Sequence, residues 1–236
     1  MTSPQDDRLF VWDLPLRLFH WGLAAAVIAG VISVNMGRMD IHERAGLTVL
    51  ALVVFRLIWG FAGGHHARFV NFVRPPLAVL RWLRAPGGSG EATGGGTGAR
   101  RVAGHSPLAA LSVLALLGIT LFMASTGLFS TDGILFDGPL AHMSPLAPDL
   151  MATIHHRGKP VLILLLVLHL AAILVYKFRK KVGLTQAMVT GRATDAPDRI
   201  TGPDGRITRY RMVFGLGLMA ALQLATHALP LLRPAW

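Results

Sequence analysis

The chain carries ten histidines and no cysteine in 236 residues. The missing cysteines exclude disulfides, haem attachment through C-x-x-C-H, and thiolate-held zinc or iron–sulfur sites. A metal here is held by histidine, methionine or carboxylate. Four histidines, His20, His42, His155 and His169, stand in or at the ends of long apolar runs, where a polar ring is costly and marks function. His155 and His169 are 14 residues apart. At about 100° per residue they fall within about 40° of one helix face, ~21 Å apart along the axis. His156 points about 140° away from His169, so His155 is the expected ligand.

Each ring needs a partner at its own depth. His20 lies just inside the first apolar run, level with His169, and His42 opens the second, level with His155. Zinc would want four ligands at each depth, and no carboxylates or cysteines are placed to complete such sets. A haem takes two axial ligands and an apolar slot between helices. The pattern therefore predicts two non-covalent haem b groups, with His20, His42, His155 and His169 as axial ligands to iron and no coordination position left for substrate. Arg56 is the sole charge deep in the second run and, 14 residues from His42, shares its face. It is placed to neutralise the propionates of the inner haem; the competing reading is an arginine snorkelling to the interface. His65 and His66 read as solvated or near lipid head groups, His105 and His142 as surface residues, and His227 with Gln223 as structural polar groups turned towards the bundle. Gly22, Gly46, Gly118 and Gly127 would admit a planar ring, but glycine serves plain helix contacts equally well.

The elements that position these residues follow from composition. Hydrophobic residues make up 53% of the chain and charged residues 15%, whereas a soluble domain carries about a quarter charged. Crossing a ~30 Å hydrocarbon core takes about 20 apolar residues of helix. Four runs qualify: Leu14–Met36, Ile41–Ala62, Pro107–Phe129 and Pro160–Tyr176. A fifth, Met212–Leu232, carries Gln223, Thr226 and His227. Unpaired backbone groups cannot face lipid, so the expected fold is all-α, an integral membrane four-helix bundle with a fifth C-terminal transmembrane helix. Residues 1–192 form the bundle, its fourth helix spanning about 150–176, and 193–236 supply a cytoplasmic linker and the fifth helix.

The net charge of +11 is a topology signal rather than a mark of nucleic-acid binding. With Arg17 and Arg44 at the span ends counted in the adjoining segments and Arg56 apart, alternate segments hold 17 and 5 Lys and Arg residues. The positive-inside rule then puts the N-terminus, the 62–106 loop and the 177–211 stretch in the cytoplasm. The first run lacks a following A-x-A-like site and reads as an uncleaved span. Asp40-Ile41-His42-Glu43 reads as a capping box with Asp40 as N-cap. Ser106-Pro107 opens the third helix. Asp149 caps the fourth, which Pro160 is expected to kink. His65–Arg84 suits a basic segment on the inner interface, 86–98 a flexible loop, and Gly202-Pro203-Asp204-Gly205 a small hairpin between two Arg-Ile-Thr triplets.

The run Val11-Trp12-Asp13-Leu14-Pro15-Leu16-Arg17-Leu18-Phe19-His20-Trp21 resembles the opening of bacterial cytochrome b561 and nickel–iron-hydrogenase b-type cytochrome subunits. So do Phe55-Arg56-Leu57-Ile58-Trp59-Gly60, His66-Ala67-Arg68-Phe69, Gly104-His105-Ser106-Pro107-Leu108, and the paired histidines of the fourth span with Ala187-Met188-Val189-Thr190-Gly191 after them. The resemblance covers residues 9–192. It implies a four-helix bundle with two bis-histidine b haems that exchanges electrons with quinone, and it matches the same four histidines as ligands. The fifth span goes beyond that pattern.

The sequence reading is thus a bacterial inner-membrane, multi-pass electron-transfer cytochrome, in contact with membrane lipid. It passes electrons between a periplasmic donor protein, or hydrogenase-like subunits, and quinone. Two other classes fit parts of the pattern: a stand-alone superoxide:quinone oxidoreductase, with Arg44, Arg157 and Lys159 steering a small anion, and a histidine-lined metal transporter without haem.

Overall fold

The computed structural model describes residues 9–73, 101–102, 107–131, 133, 136–144, 147–179, 181–194 and 200–234. The expectations placed on His105, Ser106, 74–84 and 86–98 lie outside these. In chain order the helices are α1 (Leu14–Asn35), α2 (Met39–Ala62), α3 (Phe69–Phe72), α4 (Pro107–Leu128), α5 (Pro148–Arg179), α6 (Leu184–Thr190) and α7 (Arg209–His227). Short 3-10 turns stand at His65–Ala67, Ala141–Met143 and Leu229–Leu232. Five helices among the described residues (α1, α2, α4, α5 and α7) are long and apolar enough to cross a membrane. The protein is an all-α, multi-pass membrane bundle. Over half of the apolar window of α2 is buried, against at most 22% for the other four, so α2 is the core helix. The apolar faces left exposed on α5, such as Val161, Leu164, Val167 and Leu174, suit contact with lipid.

Three local expectations are corrected. Helix α2 begins at Met39, so Asp40 lies inside its first turn rather than capping it. Its carboxylate instead pairs with Arg38 at 2.9 Å, a nearby cation outcompeting the backbone for it. Helix α5 begins at Pro148, where the missing N–H costs nothing, so Asp149 is a first-turn residue and not the cap. The Gly202–Gly205 stretch makes no hairpin. Ile200–Thr201 (β2) pairs in parallel with Arg101–Val102 (β1), and the following backbone is taken up by longer-range bonds. Pro160 lies inside α5, a helix of 32 residues.

Two compact units are formed by the chain. One comprises Met1–Arg17, Ile58–Leu114 and Leu168–Val213. Its organising group is Asp13, 2% exposed. This carboxylate caps α1 by accepting from the Leu16 N–H at 2.9 Å, and also accepts from Trp59 Nε1 at 3.1 Å and Gly64 N at 3.3 Å. Hydrogen bonds to a charged acceptor contribute about 1.5–3 kcal/mol each, so one side chain ties the start of α1 to the end of α2. Gly191 closes α6 in the left-handed region at φ 82°. Its carbonyl accepts from Val11 N at 2.8 Å and Trp12 N at 3.1 Å. Arg17 donates to the carbonyls of Met188 and Val189, and Gly205 N donates to Phe10 O at 2.7 Å. His66 is buried here rather than solvated: its Nε2 lies 2.9 Å from Pro203 O and donates to it. Burial pushes this imidazole below its ordinary range, so it stays neutral. His65 beside it is exposed.

Candidate functional site

The second unit comprises Leu18–Leu57, Ala115–Val167 and Phe214–Trp236, and it brings His42 and His155 together. His42 sits in the first turn of α2 with Nδ1 2.8 Å from the Gly30 carbonyl of α1. A carbonyl only accepts, so Nδ1 carries the proton, and in the neutral ring Nε2 then keeps the lone pair. His155, on α5, has Nδ1 3.1 Å from Thr126 Oγ1 of α4. The single Thr126 hydroxyl proton is directed at its own helix, to Phe122 O at 2.8 Å. Thr126 therefore accepts from Nδ1–H, and His155 also keeps its lone pair on Nε2. Neighbouring backbone and hydroxyl groups thus set one tautomer on both rings, as second-shell partners do for metal-binding imidazoles.

The two ring centroids are 6.1 Å apart, with planes at 87°. An imidazole nitrogen binds a transition metal at about 2 Å, and the ring centre lies roughly 1 Å behind it, so two trans ligands on one metal put their centroids roughly 6 Å apart. The donor set and spacing fit a bis-histidine haem. Gly127 belongs to the same arrangement: a Cβ there would stand 3.2 Å from His155 Cε1, so its absence lets α4 approach the ring.

His156 is exposed, its ring centroid 6.3 Å from that of His155. His20 is half-buried and meets Trp21 edge-on at 5.2 Å. Phe19 of α1 packs on Phe55 of α2 with ring centroids 6.3 Å apart, so His20 and Arg56 each stand one residue from this contact between the two helices. Arg56 is 2% exposed and so is enclosed rather than snorkelling. His169 is half-buried and belongs to the other compact unit. His142 is exposed. His227 reaches Thr48 of α2, Nε2 to Oγ1 3.1 Å. Among the described residues, no three histidines or carboxylates converge as a cage for a metal ion.

Sequence reasoning missed Thr126, the Gly30 carbonyl and Thr48 as partners of histidines. The signal for Thr126 was the Thr126-Gly127 pair, a hydroxyl beside a glycine in an apolar helix; a backbone carbonyl leaves no signal in side-chain types.

The chain is 22% identical to a probable Ni/Fe-hydrogenase B-type cytochrome subunit of Bradyrhizobium diazoefficiens, over 78% of this chain and 85% of the relative. It is 23% identical to the protein of that name from Rhizobium leguminosarum bv. viciae, over 78% and 87%, and 21% identical to that of Rhodobacter capsulatus, over 81% and 84%. No solved structure matches the chain. The family model for prokaryotic cytochrome b561 matches residues 11–191, from the Asp13 hub through all four bundle helices to Gly191. The chain therefore belongs to the prokaryotic cytochrome b561 family and is a b-type cytochrome of membrane electron transfer.

Proposed function

We propose that the chain conducts electrons across the bacterial inner membrane through two haem b groups, between a periplasmic donor and the quinone pool. His42 and His155 hold the outer haem, His20 and His169 the inner one, and Arg56 lies beside the inner one. Residues 1–192 form the conducting bundle. The observation that carries this reading is the His42–His155 pair, with centroids 6.1 Å apart and both Nδ1 atoms engaged by neighbours. For the inner pair the support is the 14-residue phase between His155 and His169 and the Phe19–Phe55 contact, which both His20 and Arg56 adjoin in sequence.

When bound, haem supplies a one-electron couple at iron. The protein's part is to present neutral Nε2 donors in fixed tautomers and to hold the rings in an apolar bundle. Two histidines for each haem would favour electron transfer over substrate binding at the metal. The similar proteins are named as hydrogenase subunits, which favours hydrogenase-like oxidoreductase subunits as the donor side.

A pyridine haemochrome assay on the purified chain is expected to return two haem b per polypeptide. None, or one, sinks the proposal. The proposed topology has the N-terminus in the cytoplasm and α7 crossing outward. Reporter fusions after Lys181 and after Trp236 are expected to signal from opposite sides of the membrane; the same side for both would remove α7 as a span and leave the four-helix bundle standing.

A further inference from the structure

The C-terminal helix lies beyond the residues that the family model matches, yet it is fastened to the helix that carries His42. Two bonds do this. His227, at the end of α7, meets Thr48 of α2 at 3.1 Å. Arg233, after the final 3-10 turn, pairs with Glu43 of α2 at 2.6 Å and donates to the Asp137 carbonyl at 2.8 Å. One guanidinium thus joins the start of α2, the loop after α4 and the C-terminus. The Glu43 side chain is only 13% exposed, which sets this pair apart from the fully solvated ion pairs that contribute little.

The placement around α2 gives these bonds a direction. Taking His42 as zero, Glu43 lies about 100° and Thr48 about 240° round the helix, so their mean direction is roughly 170° from His42. The two anchors thus hold opposite flanks of α2 and leave the face of the ligand ring open. Glu43 is also the next residue after His42, so Arg233 neutralises the nearest carboxylate on that helix.

We infer that α7 and Arg233 act as a positioning clamp for His42, fixing the rotation of α2 and the charge beside the outer axial ligand. Arg233 and His227 are positioning residues and touch no cofactor. The inference rests on the haem reading above, so its test separates docking from haem binding. The chain has no cysteine of its own, and Thr48→Cys with His227→Cys is therefore a clean reporter of docking. A short bifunctional thiol reagent is expected to cross-link the double variant within one chain, and neither single variant.

In the full-length haem-loaded protein, Arg233→Gln leaves Glu43 uncompensated, which disfavours an added electron nearby. The reduced-to-oxidised ratio of the outer haem at fixed ambient potential is expected to fall about threefold, a fraction of the tenfold that 59 mV represents for one electron. Its low-spin electron paramagnetic resonance g-maximum is expected to move, because that value follows the angle between the axial ring planes. The inner haem stays unchanged, and Arg233→Lys, which keeps the charge, stays close to wild type. No cross-link, or two haems that both keep their signals, overturns the clamp. Equal disturbance of both haems overturns it too, by showing a general loss of structure. A cross-linked chain without haem overturns the haem reading and the clamp together while leaving the docking of α7 intact.

Discussion

His155→Ala is expected to halve the haem content of the protein, whereas His156→Ala keeps both haems. The two residues are neighbours in sequence and opposite in circumstance. His155 faces His42 across 6.1 Å and has its Nδ1 tied to Thr126, while His156 is exposed. On the proposed reading an alanine at 155 removes one of the two histidines that would hold the outer haem and leaves a gap in an apolar wall, so that haem is expected to be lost. The haem proposed for His20 and His169 is expected to persist, because neither of those residues is altered. Thr126→Val is a milder companion change. It removes the acceptor for Nδ1–H, so the ring's orientation loosens, and a cost of roughly 10–100-fold in cofactor affinity is expected, as for other second-shell partners. Haem counts and low-temperature spectra of the variants decide the matter; loss of a haem from His156→Ala with none lost from His155→Ala would exchange the two roles. The near-perpendicular ring planes, at 87°, add a spectroscopic expectation for the same haem, a large-g-maximum low-spin signal rather than a rhombic one.

The second large effect belongs to Arg56. A guanidinium 2% exposed in an apolar bundle carries a desolvation cost that a haem propionate would offset. Arg56→Leu removes a positive charge one residue from the Phe19–Phe55 contact, which His20 also adjoins on α1. Two unit charges roughly 7 Å apart at an effective dielectric near 20 interact by about 2 kcal/mol. The inner haem's midpoint potential is therefore expected to fall by roughly 100 mV for its one-electron couple. The sign follows because a removed cation disfavours the added electron. The outer haem serves as internal reference in the same redox titration. An unmoved inner potential assigns Arg56 to helix packing alone.

The sequence by itself determined the parts of this protein that depend on distance along one chain. Runs of about 20 apolar residues mark membrane-crossing helices whatever they pack against, and four bundle helices with a fifth appear over those runs, α5 starting well before its apolar run, at Pro148. The absence of cysteine and the 14-residue phase of His155 and His169 are likewise local facts. They single out His155 over His156 as soon as a helix is granted, because helical pitch is the same in every fold. What only the tertiary structure decided is which groups meet from different helices. The capping box at Asp40 gave way to Arg38, and the Gly202–Gly205 hairpin to bonds with Phe10 and His66. His66 read as solvated until Pro203 was brought over it. The tautomers of His42 and His155 are set by Gly30 and Thr126, and the register of α7 by Thr48 and Glu43. Such pairings depend on the rotation and height of one helix against the next. Those are fixed by the packing of many side chains together, and no short stretch of sequence carries them.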